Sequence, residues 1–265
     1  MFADVRWVDE TGSTNADAMA LVRDGAPEGI VVVADHQTAG RGRRGRTWEA
    51  PPGAGLLVSI VLRPPAAVVE ACTMAVAVAA AAAVHEVTGV MPRVKWPNDL
   101  VWPGDGSADD RKLAGILAEA DWPAGSTPDA GERPPKPDVR LGLVVGIGIN
   151  VTWPAELPAD LAEVAVALNQ ITGVTADRGD LLAALLVHFA GWYVPLVATR
   201  DVDPLRTAWR SVSATLGRGV RVDLGHEDIV GTAVDVTDEG HLVVETPGGE
   251  RRTVAAGDVV HLRPA

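Results

Sequence analysis

From about Leu216 onward the chain alternates apolar and polar residues with a period of two, and this alternation limits its fold more than any other feature. Val220-Arg221-Val222, Ile229 to Val234, His241 to Glu245, Arg252-Thr253-Val254 and Val259 to Leu262 each read as a short strand. Successive strand side chains point to opposite faces, so a period of two marks a sheet with one buried face. Turn signals at Asp238-Glu239-Gly240 and Pro247-Gly248-Gly249 separate these segments. So many short strands in so short a stretch predict a small SH3-like β-barrel.

The preceding residues follow a different rhythm. Thr11 to Arg23 predicts a helix, with Ser13, Thr14 and Asn15 as residues of N-cap type. Ile30 to Ala34 and Gly55 to Leu62 are continuous apolar runs, hence buried strands. Ala66 to Val87 and Asp180 to Ala198 predict helices; Val94 to Trp96, Leu113 to Glu119 and Leu141 to Val151 predict strands. A polar excursion runs from Pro103 to Asp110, and Pro123 to Pro137, rich in Pro, Gly and Asp, reads as a disordered or variable loop. The expected organisation is a mixed α/β part, residues 1–214, followed by a β part, residues 215–265.

Charge narrows the function. A formal net charge of −12 argues against broad binding to nucleic acid or an anionic membrane, since both need a basic surface. Ala71 to Val84 is too short and Ala-rich for a bilayer span and reads as a buried helix. The first ten residues lack a signal-peptide pattern, and a cytoplasmic location is expected. Cys72, the single cysteine, sits in that Ala-rich run as a small buried thiol.

Against this acidic background, Gly40-Arg41-Gly42-Arg43-Arg44-Gly45-Arg46 concentrates positive charge. Its glycines free the backbone to expose N–H groups, and arginines present planar, permanently charged donors to phosphate oxygens. A dinucleotide-binding turn fails its context, because Trp48, Pro51, Pro52 and Gly53 follow instead of a helix. An RNA-binding patch or a merely solvated loop are the remaining alternatives to a phosphate cradle. Mutual repulsion and glycine entropy both oppose order in this loop until an anion binds. Lysine is scarce: only Lys95, Lys112 and Lys136 stand against twenty arginines. Lys136 lies in the Pro-rich loop; Lys95 and Lys112 each have an ordinary reading, a strand end and a snorkelling strand residue.

Taken together, five segments in order resemble the biotin protein ligase family. They are Ser13-Thr14-Asn15, Gln37 to Trp48, Lys95-Trp96-Pro97-Asn98-Asp99, Lys112 to Glu119 and Gly146 to Val151. The resemblance covers nearly the whole chain. It implies an α+β fold, a mixed β-sheet flanked by helices in the manner of class II aminoacyl-tRNA synthetases and biotin ligases, with a C-terminal SH3-like barrel. It implies ATP-dependent biotinylation of a lysine through biotinyl-5′-AMP, with pyrophosphate released and Mg²⁺ assisting. The partner implied is the biotin carboxyl carrier domain of an acyl-CoA carboxylase, the enzyme being a monomer or homodimer.

By the same resemblance Lys112, Arg43 and Arg41 would be catalytic. Ser13, Thr14, Asn15, Gln37, Gly40, Arg41, Gly42, Arg43, Lys112 and Gly115 would bind biotin. Arg44, Arg46, Trp48, Asn98, Asp99 and Asn150 would bind ATP or the adenylate, with Trp48 on adenine and Asp99 facing the incoming lysine or forming a turn. The metal ligands are left open. Ser13 lies a dozen residues from the start, so the DNA-binding domain of some family members is expected to be absent. Rivals are a lipoate-type ligase and a non-catalytic biotin-binding module.

Overall fold

The structure is a computed structural model that describes residues 1–103, 110–122, 135–156 and 158–262. Most of the Pro103–Asp110 excursion (104–109) and of the Pro123–Pro137 insertion (123–134) therefore lies outside the described residues. A seven-stranded sheet forms the centre, in the order β1 (Asp4–Thr11), β2 (Ile30–Gln37), β3 (Gly55–Leu62), β7 (Gly142–Asn150), β6 (Arg111–Asp121), β5 (Asp99–Trp102), β4 (Arg93–Lys95). β1 runs parallel to β2 and every other pair is antiparallel, so the sheet is mixed, as expected.

Burial on both faces explains the continuous apolar runs. Val31, Val33, Leu56, Val58 and Ile60 share one core with α2 (Ala71–Thr88) and α5 (Arg178–Thr199). Ile30, Val32, Val61 and Val144 meet Ala18, Met19 and Val22 of α1 (Thr14–Arg23) on the other face. Cys72 is buried in α2, and burial pushes its thiol well above the ordinary range, so it is no nucleophile. By length and composition α2 and α5 could cross a membrane, but here most of α2 and one face of α5, including Leu181, Leu185 and Phe189, pack into the core.

Several elements differ from the sequence reading. Thr11 ends β1, and the first helix begins only at Thr14. β1 escapes the sequence reading although Val5-Arg6-Trp7 alternates, and it forms as an edge strand whose residues are nearly all exposed. α3 (Ala159–Val164) and α4 (Leu168–Thr172) are too short to show a helical period, whereas α6 (Asp203–Val212) did carry a signal: Pro204 in its first turn and Leu205 and Trp209 four apart.

All five C-terminal strands form: β8 (Gly219–Asp223), β9 (Asp228–Val236), β10 (Leu242–Glu245), β11 (Arg251–Val254) and β12 (Asp258–His261). They make an antiparallel sheet in the order β11-β10-β9-β8-β12. The expected barrel closure is corrected: among the described residues β11 and β12 remain open ends. Val220, Val222, Ile229, Leu242 and Val244 instead join the core built by α2 and α5, so the sheet needs no barrel interior of its own.

Polar contacts fix the junction. Trp96 Nε1 donates to the Gly240 carbonyl at 2.8 Å, and Arg210 grips Asp235 at 2.7 and 2.8 Å. A buried row lies deeper. Trp96 N–H donates to Thr215 Oγ1 at 3.0 Å; Thr215 Oγ1 stands 3.2 Å from His261 Nε2. His261 Nδ1 stands 3.1 Å from Asp110 Oδ2, which also accepts from Arg218 at 3.0 Å. One set of protons satisfies the row: the hydroxyl donates to Nε2 and Nδ1–H donates to the carboxylate. Hydroxyl, imidazole and carboxylate stand in the order of a hydrolase triad. Yet Thr215 is fully buried and its oxygen already accepts from Trp96, so the row is a structural joint.

Candidate active site

A sheet floor with glycines at its centre defines the site. Leu57, Gly148, Gly115 and Asp99 lie side by side across β3, β7, β6 and β5, and Ser59, Gly146 and Leu117 form the next rung. A Cβ on Gly148 would come within 2.6 Å of the Trp48 indole, and one on Gly115 within 2.9 Å. These glycines let the indole lie against the sheet. Gly146 does the same for the Asn15 side chain. Above the floor opens a cavity of about 560 Å³, which reaches the C-terminal residues Arg221, Asp223, Asp228 and Asp258.

One end of the cavity is neutral and polar. Ser13 occupies the N-cap position of α1 but its side chain makes no capping bond, and it lines the cavity. Gln37 Oε1 accepts from the Thr14 N–H at 2.8 Å and from its hydroxyl at 3.0 Å. Asn15 spends both amide protons on the protein, on the Leu117 carbonyl at 3.2 Å and on Glu119 Oε2 at 2.8 Å.

The other end is the arginine loop. Gly42 N–H donates to the Arg46 carbonyl at 2.7 Å and Trp48 N–H to the Gly40 carbonyl at 3.0 Å, closing the loop on itself. A Cβ at Gly40 would strike the Trp48 carbonyl, and Gly45 takes a positive φ of 72°. The expected repulsion among the arginines meets carboxylates the sequence reading did not pair with them. Arg44 and Arg46 both bind Asp258 of β12, and Arg41 lies 3.3 Å from Glu119. Arg43 reaches Asn98 Oδ1 at 3.3 Å. Burial holds the Arg43 guanidinium below the ordinary arginine range, and Arg44 and Arg46 add to this against the pull of Asp258 and Asp99. It stays charged at neutral pH, a partly desolvated cation that gains from an incoming anion.

Lys112 stands where the two ends meet. Its ammonium is 2.7 Å from Asp99 Oδ1 and 5.5 Å from the centre of the Trp48 ring. Its backbone is pinned: the carbonyl accepts from Val166 N–H at 2.9 Å and from Asn150 Nδ2 at 3.3 Å. Asn150 gives its other contact to the Val166 carbonyl at 3.2 Å, so its amide holds the strand under Lys112. Asn98 is likewise held, donating to the Ile116 carbonyl at 2.7 Å.

Beyond Lys112 and Trp48 a second cleft of about 620 Å³ is lined by Asn150, Trp153, Pro154 and Leu161. The indole nitrogens of Trp48 and Trp153 are buried without a hydrogen-bond partner among the described residues, donors that an acceptor would satisfy. Lys95 lines the main cavity with Arg41 and Arg43, whereas Lys136 does not. The described residues contain no cluster of three or more His, Cys, Asp or Glu able to hold a metal ion.

Comparison with known proteins identifies the class of this fold and site as a ligase. The Biotin/lipoate A/B protein ligase family matches residues 10–125, and the Biotin protein ligase C terminal domain matches residues 215–262. The biotin–[acetyl-CoA-carboxylase] ligase of Mycobacterium tuberculosis is 36% identical, with 97% of this chain and 88% of that protein aligned. The bifunctional ligase/repressor BirA of Bacillus subtilis is 32% identical over 94% of this chain and 71% of its own length. A biotin protein ligase from Aquifex aeolicus, solved with biotin and ATP, superposes with a TM-score of 0.76 at 26% identity, covering 99% of this chain and 100% of that one. The chain belongs to the biotin protein ligase family.

Proposed function

We propose that this chain joins biotin to ATP and passes the biotinyl group to a lysine of the biotin carboxyl carrier domain of an acyl-CoA carboxylase. The observation that carries this reading is the place of Lys112, between a neutral polar pocket and a loop of arginines. A carboxylate is a weak nucleophile, so positioning and charge neutralisation must supply the catalysis. Biotin's ureido ring fits the end formed by Ser13, Thr14 and Gln37, which brings its carboxylate toward Lys112. The carboxylate oxygen attacks the α-phosphorus, the bond to the β-phosphate oxygen breaks, and pyrophosphate leaves. Lys112 and Arg43 neutralise charge growing on the α-phosphate oxygens, while Arg41, Arg44 and Arg46 face the remaining anionic groups.

The cleft beside Trp48 and Trp153 suits adenine, whose ring nitrogens can accept from the buried indole N–H groups. Asn15, Asn98 and Asn150 support the site more than they contact ligand, since their amides are spent on the protein. In the second step the carrier lysine attacks the acyl carbon and AMP leaves. Once Lys112 turns to the phosphate, Asp99 is released to take the amine's proton. Magnesium ordinarily keeps several waters and binds through phosphates with one or two carboxylates, so an ion arriving on ATP would need no cage of protein ligands. Asp99, Asp223, Asp228 and Asp258 line the cavity and would be the carboxylates available to help hold the ion, and its charge would offset that of the leaving pyrophosphate. The same reading takes residues 1–214 as the catalytic part and 215–265 as the C-terminal part of a cytoplasmic enzyme, and the net charge of −12 disfavours DNA as a partner.

Incubation with ATP, Mg²⁺ and either biotin or lipoate, followed by mass spectrometry, tests the proposal. The expected product is a biotinyl adenylate, reduced at least about 100-fold in Lys112→Ala. A lipoyl adenylate would move the chain to the sister activity, and no adenylate with either acid would leave a binding module.

A further inference from the structure

Ser59 is the polar residue in an otherwise apolar β3, and it is fully buried. Its hydroxyl lies 2.8 Å from Thr14 Oγ1 and 2.6 Å from Asn15 Oδ1. With the Thr14–Gln37 contact at 3.0 Å, this makes a row: Gln37 Oε1, Thr14 Oγ1, Ser59 Oγ, Asn15 Oδ1. Both ends of the row only accept. Turning the Gln37 amide would set its NH₂ against the Thr14 N–H, and turning the Asn15 amide would set its oxygen against the Leu117 carbonyl and Glu119. Two hydroxyl protons must therefore serve three contacts, and one contact is always without a proton. The row has alternative arrangements, and a ligand touching Thr14 or Gln37 selects among them.

The far end of the row does not stop at Asn15. Its amide donates to Glu119 Oε2 at 2.8 Å, and Glu119 Oε1 faces Arg41 Nη1 at 3.3 Å. One carboxylate thus connects helix α1, next to the ring-binding end, with the arginine loop. We infer that Glu119 is a positioning residue, locking the arginine loop to the ring-binding end so that biotin sets Arg41 in place before ATP reacts. This rests on the biotin-ligase reading above, and it assigns to Glu119 and Ser59 a task of their own within it. Glu119 touches neither reacting atom. It acts through Arg41 on one side and Asn15 on the other.

Glu119→Gln separates the two links. Its side-chain carbonyl still accepts from Asn15, while its NH₂ turns toward the Arg41 guanidinium, donors against donors. Hydrogen exchange of residues 40–46 in the full-length protein, with and without biotin and in the absence of ATP, reads the lock directly. Biotin is expected to slow exchange of the loop in the wild type but not in Glu119→Gln, with biotin affinity about fivefold weaker by calorimetry. Adenylate formation at saturating substrates falls about tenfold while the melting temperature holds. Ser59→Ala, which leaves Asn15 Oδ1 without its hydroxyl partner, is expected to lose loop protection as well. Protection of the loop in Glu119→Gln equal to the wild type overturns the inference, as does a wild-type loop that biotin leaves unprotected. Absence of biotin binding in the wild type would instead remove the ligase reading itself.

Discussion

At Gly148 and Gly115 the absence of a side chain is what the site uses, because it lets the Trp48 indole lie flat beside Lys112. Gly148→Ala puts a methyl group where the ring now sits, and the sheet backbone cannot move aside as a flexible side chain could. The indole is expected to lift away, lowering the adenylation rate roughly tenfold or more through misplacement of the nucleotide site. Intrinsic tryptophan emission should shift at the same time. An unchanged rate with unchanged emission would mean that the floor tolerates the methyl and that Trp48 matters little. Arg43 illustrates a second residue-scale point. The cost of its burial is already met in the free protein, so an arriving phosphate gains from relieving it.

Among elements, the joint between β12 and the start of β6 stands out. His261 and Asp110 connect the C-terminal sheet to a residue two positions before Lys112. His261→Ala strips one donor from a buried carboxylate, a loss of about 1–3 kcal/mol, and at this chain length the melting temperature should fall by roughly 3–10 °C. Asn at this position can imitate the Nδ1–H donor, whereas Gln reaches toward Thr215 instead. Recovery in His261→Asn and not in His261→Gln is the expected pattern in thermal melts; equal recovery by both would show that shape alone counts. The same contacts explain what the sequence could and could not reveal. Gly40 to Arg46, Lys112 and the five C-terminal strands were legible because each is written in adjacent residues. Asp258 under Arg46, Asp110 under His261 and Glu119 under Arg41 were not, since each pair is far apart in the chain and exists only after the sheet has formed. Barrel closure was misread for a related reason: alternation specifies a buried face but not what buries it.

Across the whole molecule, one apolar core runs from α2 and α5 into the C-terminal sheet. Residues 1–214 alone would expose what Val220, Val222, Leu242 and Val244 now cover, together with unpaired arginines in the loop. That fragment is expected to be insoluble or to unfold well below the full chain, and the intact protein to melt in one calorimetric transition. Two resolved transitions would mean that the halves are stable independently. Shared burial also makes the chain divisible in a useful way. Cut between 214 and 215, neither piece would carry a complete reaction chamber, because Asp258 and Val259 of the cavity wall travel with the smaller piece. Fused to two other proteins that meet, the pieces are expected to rebuild the chamber only on that encounter, and biotin appearing on the carrier domain's lysine would report it.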